Sequence, residues 1–288
     1  MADPAFAWPA GVRAAAAITF DVDAESAILA DAPEAAARLS VMTHQAYGPR
    51  TGVPRLLGIL ERRGIRATFF VPGHTADRFP DAVRAIRDRG HEIGHHGYLH
   101  EPLFRASAEE EETYLLRGLD ALDRVLGVRP EGYRAPWWEA TYRTPGLLAR
   151  HGFRYDSSLM DADLPYLLVT GEGPAARPIV EIPIQWGLDD WEQYAFVPGL
   201  TGSGVIESPA KVLELWTLEL DAIVAEGGCF VLTMHPFLTG RASRAAALDR
   251  LLERMQAVEG LWIAPLCEIA AHAASLGLAP VTHTPPSP

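Results

Sequence analysis

Cysteine is nearly absent from this chain of 288 residues: there are two, Cys229 in the apolar run Cys229-Phe230-Val231-Leu232 and Cys267 beside Leu266. In such settings they read as small core residues, and a disulfide framework is excluded. Lysine is scarcer still, Lys211 being the only one among 25 basic residues, a compositional bias without mechanistic content. Long hydrophobic runs are missing as well. No segment approaches the roughly 20 apolar residues of a membrane span, and the N-terminus, with acidic Asp3, has no apolar stretch of the length a secretory signal needs. A cytoplasmic protein is the expectation. Positive charge is in deficit, with a formal net charge of -12 and the acidic residues scattered. That argues against nucleic acid or an anionic membrane surface as partner and leaves a small or neutral substrate.

What is present is enough apolar material, 48% of residues, to bury a large core. Residues 1–280 read as one domain and 281–288 as a proline-rich, disordered tail. Short β-branched or aromatic runs alternate with helical patterns, which predicts an α/β protein with a largely parallel sheet. Strands are expected at Ala14 to Asp21, Ala67 to Val71, Glu92 to Gly94, Gly132 to Arg134, Phe153 to Tyr155, Ile179 to Ile184 and Phe230 to Met234. Helices are expected over Pro54 to Arg63, Pro80 to Arg89, a long one opened by a capping box at Ser107 and Glu110, Pro145 to Arg150, and Pro209 to Glu226. A last helix, strand and helix fall within Arg244 to Leu276. About seven strand-helix units suggest a closed or nearly closed, distorted (β/α) barrel, because an open sheet of that size would leave an exposed edge. Two long irregular stretches, Ala24 to Pro49 and Gln185 to Glu207, are candidate pocket walls.

Polar residues cluster at the expected strand ends. Asp21, Asp23, His96, Arg134, Asp156 and His235 all stand at or just past a C-terminal strand end, the rim where parallel barrels place chemistry. Two imidazoles four apart, in His96-Gly97-Tyr98-Leu99-His100, can converge on one cation. A catalytic zinc-type site uses three protein ligands and keeps one position for water, whose pKa falls to roughly 7. Asp23, His96 and His100 would supply the three. Asp21, two residues from Asp23, lies on the same side of an extended chain and suits a general base. Solvated strand-end carboxylates are the plain alternative, and the histidines weigh against it.

A competing pattern overlaps these histidines: His91-Glu92-Ile93-Gly94-His95 matches the zincin arrangement. That arrangement needs a helix, and Gly90, Gly94 and Gly97 argue for extended chain, on which His91 and His95 would stand about 13 Å apart. It reads as a decoy. Arg134, in Tyr133-Arg134-Ala135-Pro136-Trp137-Trp138, could orient a carboxylate such as Asp21 and hold it ionised. At least one of Trp137 and Trp138 is expected to face the cleft, since neighbours on extended chain point to opposite sides. His235, ending the run Leu232-Thr233-Met234-His235, could protonate a leaving nitrogen. His44, His74, His151, His272 and His283 read as structural.

In chain order, Thr19-Phe20-Asp21-Val22-Asp23, then His96 to His100, then Arg134-Ala135-Pro136-Trp137, then Tyr155-Asp156-Ser157-Ser158, then Leu232 to His235, resemble the five motifs of the polysaccharide deacetylase superfamily, the NodB homology or carbohydrate esterase 4 group. Trp186-Gly187-Leu188-Asp189-Asp190 and other segments are most similar to the branch containing the Helicobacter peptidoglycan deacetylase and cyclic imidase and allantoinase relatives. The resemblance implies a NodB-type distorted barrel and a divalent cation, zinc first, on Asp23, His96 and His100. It further implies Asp21 as base, His235 as acid, Arg134 in support, and a backbone amide near Trp137 at the oxyanion. The family's adjacent aspartates are separated here by Val22. Metal dependence is expected, because the metal-independent allantoinase relatives lose the acidic and histidine set that this chain keeps. Trp137, Trp138, Asp156 and Trp186 are the candidate substrate contacts, and a homotetramer is implied by resemblance. The activity expected is hydrolysis of a non-peptide C–N bond, first in a small cyclic amide, imide or N-acyl compound. The alternative is an N-acetyl sugar of peptidoglycan or a chito-oligosaccharide; a non-catalytic binding barrel is disfavoured by the complete residue set.

Overall fold

The computed structural model describes residues 6–169, 177–200 and 205–286. Among the described residues nine strands form one sheet: β1 (Ala14–Asp21), β2 (Thr68–Val71), β3 (Glu92–His95), β4 (Gly132–Tyr133), β5 (Tyr155–Asp156), β6 (Tyr166–Leu168), β7 (Ile179–Glu181), β8 (Cys229–Met234) and β9 (Leu261–Ile263). Their order is β6-β7-β5-β4-β3-β2-β1-β8, with β9 paired to β1. Among these strands every pairing is parallel except β6 with β7. The sheet curls without closing on a continuous ladder. Single links span the gap beside β8: Asp189 bridges Thr233, and the Cys229 amide donates to the Asp163 carbonyl at 2.8 Å. This is the distorted barrel expected from the alternation of elements.

Helices cover the outside. Val53–Arg63, Pro80–Asp88, Pro209–Glu226 and Ala242–Gln256 bring Leu56, Ile86, Leu220 and Leu251 against Ile18, Phe20, Phe69 and Leu232 of the sheet. Strand β1 is buried along all eight residues, as a parallel strand covered on both faces should be, and four of them are alanine, which admits close packing on either side. The capping box is formed as expected: the Ser107 side chain accepts from the Glu110 amide and Glu110 answers on the Ser107 amide, starting the helix Ala108–Leu126. Gly127, at φ 62°, ends it in the left-handed conformation that a glycine adopts without steric cost. Among the described residues both cysteines are free, and no helix is long and apolar enough to cross a membrane.

The structure departs from the sequence reading in three places. The stretch from Ala24 to Pro49 is not irregular; it carries the helices Ser26–Asp31 and Leu39–Tyr47. Strand β6 was not expected, since three residues between acidic and proline-rich neighbours have no readable period. It also pairs beyond residue 280: Val281 bridges Leu168, and the Tyr166 hydroxyl meets His283 at 3.2 Å. The last two residues of the expected tail, 287–288, lie outside the described residues.

One glycine limits the barrel's lower half. A Cβ on Gly132 would run into the ring and hydroxyl of Tyr155, which is fully buried and tied to Glu92 by a 2.7 Å hydrogen bond. Gly132→Ala is expected to cost about 1–3 kcal/mol or more of stability through overpacking. Urea unfolding measures it, and a midpoint equal to wild type would show that the ring moves freely.

Candidate metal centre

The C-terminal ends of the central strands converge on a small cavity of about 80 Å³, lined by Asp21, Asp23, His96, His100, His235 and a set of tryptophans. Strand β1 delivers Asp21 at its last position, Val22 turns into the core, and Asp23 follows on the cleft side. Strand β3 ends one residue before His96. The chain then loops, and His100 at φ 63° brings its ring back to 4.9 Å from that of His96. A loop, not a helix, therefore makes the spacing of four productive. His96 Nε2 stands 3.5 Å from Asp23 Oδ1, and His100 Nε2 3.7 Å from Asp23 Oδ2.

These three residues fit a divalent cation. Both oxygens of Asp23 are buried and meet no hydrogen-bond donor among the described residues. A carboxylate so placed is strongly disfavoured in its charged form, and burial pushes its pKa up to about 7. Both imidazoles are the neutral species a metal requires. Burial lowers His96 to about 3 and His100 well below its ordinary value. His96 Nδ1 faces the Arg134 carbonyl at 2.7 Å, so Nδ1 carries the proton and Nε2 keeps its lone pair. The donor atoms of all three lie within 4.8 Å of one another.

Arg134 is wholly buried and binds on two sides. One guanidinium nitrogen donates to Asp21 Oδ1 at 2.9 Å and to the Thr19 hydroxyl at 2.8 Å; the rest of the fork donates to the carbonyl and hydroxyl of Ser157 at 3.0 and 3.1 Å. Its link to Asp21 is the one expected from the sequence. His235 follows β8, with Nε2 3.5 Å from Asp23 Oδ2. Asp190, which the sequence reading did not assign, holds it: Oδ1 accepts from His235 Nδ1 at 2.7 Å and from the His235 amide at 2.9 Å. The other oxygen accepts from the amide and hydroxyl of Thr239 at 3.1 and 2.5 Å. Burial by itself would lower His235. The hydrogen bond to Asp190 and the carboxylates of Asp189, Asp190 and Asp23 outweigh it and raise the ring to about 10.

The aromatic wall comes from two segments. Trp137 and Trp138 follow Arg134, while Trp186 and Trp191 come from the second of the two long stretches; the first does not line the cavity. Trp137 packs edge-on against His100 at 5.0 Å and Trp191 at 5.2 Å; Trp138 stacks on Trp186 at 4.4 Å. Among the described residues the non-glycine positions with positive φ are Ala24, His100, Trp137 and Trp138. Three of them line the cavity and the other follows Asp23, so the backbone strain is concentrated at this centre. Asp156 corrects the sequence reading. It is fully buried, bonds the Ser157 amide and the Ser158 hydroxyl, and does not line the cavity. The zincin pattern fails as expected, because β3 is extended. His91 accepts from the Ala67 amide, His95 faces the Leu115 carbonyl, and Glu92 serves Thr68 and Tyr155 at the far end of the barrel.

Residues 38–155 match the family model for polysaccharide deacetylase. The chain is 32% identical over 240 residues to the peptidoglycan deacetylase of Helicobacter pylori, covering 75% of this chain and 82% of that one. This chain belongs to the polysaccharide deacetylase family. The deacetylase fold is shared with a solved Mycobacterium smegmatis protein described as a polysaccharide deacetylase, at 52% identity and TM-score 0.95 over 98% of this chain and 97% of that one. It is also similar to the Puue allantoinase structure, at 26% identity and TM-score 0.78 over 93% of this chain and 92% of that one. As a member of this family the deacetylase is a metal-dependent hydrolase of non-peptide C–N bonds, and its candidate donors are the three residues described above.

Proposed function

We propose that this deacetylase removes the acetyl group of an N-acetylated amino sugar, of the kind found in peptidoglycan and chito-oligosaccharides. The observation that carries this reading is the shape of the aromatic wall. A cavity of about 80 Å³ is well below the roughly 300–1,000 Å³ that encloses a whole ligand, so it admits the reacting acyl group and leaves the remainder at the mouth. At that mouth Trp186 is 45% exposed and braced from behind by Trp138, a flat apolar platform for a sugar ring. The Helicobacter relative's activity on peptidoglycan supports the same substrate class. A small cyclic amide or imide, enclosed entirely, is the second reading, favoured by the likeness to the allantoinase structure.

Asp23, His96 and His100 would hold a divalent cation, zinc first, because two neutral imidazoles and a carboxylate suit it. When bound, it supplies Lewis-acid chemistry beside the substrate carbonyl. Asp21, whose Oδ1 accepts a hydrogen bond from the Arg134 guanidinium, takes the proton of the attacking water. His235, held protonated by Asp190, returns a proton to the leaving nitrogen, and Trp137 and Trp191 exclude bulk solvent from the space between them.

The test is acetate release by the zinc-loaded enzyme from an N-acetylglucosamine oligomer, against ring opening of succinimide, each with and without chelator. Chelator-sensitive acetate release is expected; imide opening without acetate release would transfer the assignment to the second reading. Trp186→Ala is expected to raise KM for the oligomer about five- to tenfold with kcat nearly unchanged, since the platform binds ground state and transition state alike.

A further inference from the structure

Behind Arg134, strands β5 and β7 place two buried carboxyls side by side. Asp156 and Glu181 are register partners on neighbouring parallel strands, and both are fully buried. One oxygen of each is saturated. Asp156 Oδ1 accepts from the Ser157 amide at 2.8 Å and the Ser158 hydroxyl at 2.6 Å; Glu181 Oε1 accepts from the Ser158 and Leu159 amides at 3.0 and 2.8 Å. The remaining oxygens, Asp156 Oδ2 and Glu181 Oε2, are buried with no donor among the described residues. Two adjacent carboxylates cannot both stay ionised in such a place, and a single proton between the two orphaned oxygens satisfies both.

We infer that Asp156 and Glu181 share one proton and act as a single anion that positions Arg134, and through it the proposed base Asp21. The route is continuous. The pair fixes three consecutive amides of the turn 157–159, and that turn presents the Ser157 carbonyl and hydroxyl to the guanidinium. The Ser158 hydroxyl also accepts from the Ala135 amide at 2.9 Å, anchoring the segment that leads to Trp137. Arg134 then carries the alignment to Asp21 by its side chain and to His96 by its carbonyl. The protonation pattern agrees with the geometry: burial pushes both carboxyls up, Asp156 to about 6 and Glu181 well above its ordinary value, as a pair that holds a proton requires. Asp156 and Glu181 are positioning residues, 0% exposed and without access to substrate.

A shared proton makes an unusual demand on substitutions. Glu181→Gln and Asp156→Asn each replace one partner by an amide that donates to the surviving carboxylate, preserving both the bond and the single charge. The double variant sets two amide NH2 groups against each other and removes the charge. In zinc-loaded full-length enzyme acting on the N-acetylglucosamine oligomer, each single variant is expected to keep kcat within about threefold. The double variant is expected to lose about 30-fold or more in kcat, with KM and zinc content little changed, because a base displaced by a fraction of an ångström is the effect. If the double variant does not fold, Ser157→Ala removes only the hydroxyl between turn and guanidinium and is expected to lower kcat about fivefold at unchanged KM. Infrared difference spectra at neutral pH give a readout free of turnover: wild type minus either single variant should show a protonated-carboxyl carbonyl band. No such band, a single variant as damaged as the double, or a double or Ser157→Ala variant with wild-type kcat would each overturn the inference. The positioning role rests on the base assigned above. Failure of that reading would appear as an inactive wild type with the infrared band intact.

Discussion

The His100→Ala enzyme is expected to lose its cation and its turnover together, with kcat/KM for acetate release lower by at least about 10³-fold. The reasoning starts at Asp23, whose two buried oxygens have no hydrogen-bond donor among the described residues. A cation would make that burial tolerable, and its proposed ligands are that carboxylate and two imidazoles that burial keeps neutral. Alanine leaves two donors, too few for tight binding at a catalytic site. The loss should be visible without any assay. A cation that binds only the native state raises the melting temperature, so wild type should melt lower in chelator while His100→Ala should melt at one temperature with or without it. Glu92→Gln is the control. Its NH2 must face donors on one side, either the Tyr155 hydroxyl or the Thr68 hydroxyl and Cys267 amide, at the opposite end of the barrel, and it should cost stability while leaving metal content intact. A His100→Ala protein that retains one equivalent of zinc and wild-type turnover would remove Asp23, His96 and His100 from the mechanism.

That control also shows what was legible in the sequence. His91 and His95 carry the spacing of a metal motif, and three glycines around them were enough to exclude a helix and so to exclude the motif. The boundaries of β1 were readable because a parallel strand buried on both faces leaves an unbroken apolar run, and the start of the helix Ala108–Leu126 because a capping box marks it. Asp156 was misread for an equally physical reason. A carboxylate at a strand end gives the same signal whether it faces the cleft or the back of a turn, and a strand of two residues has no period from which its facing could be inferred. Asp190 was out of reach of local reasoning altogether. Its position depends on the bridge from Asp189 to Thr233, a contact between segments some 45 residues apart that exists only once the barrel has curled.

Asp190→Asn is therefore the substitution expected to reveal most about the acid. Four donors converge on this carboxylate: the amide and ring nitrogen of His235 on one oxygen, the amide and hydroxyl of Thr239 on the other. An asparagine can accept with its oxygen only, so its NH2 must face donors on one side or the other. Leaving buried donors unpaired costs about 1–3 kcal/mol. The electrostatic effect is larger for the chemistry. His235 is raised from 6.5 to about 10, with the hydrogen bond to Asp190 the first of the groups that oppose burial. For a base raised on folding, the stability contributed by the pair is fully present below pH 6.5 and is lost as pH rises through about 10. Activity follows the same sign, since a general acid must carry its proton. In Asp190→Asn, burial acts on the ring with less opposition, so the alkaline limb of the pH profile should move down by about one unit or more and kcat near neutrality should fall roughly 10²- to 10³-fold. KM should change little, because the ring contributes at the transition state. An alkaline limb unmoved in Asp190→Asn would mean that another group delivers the proton, leaving His235 a structural partner of Asp23.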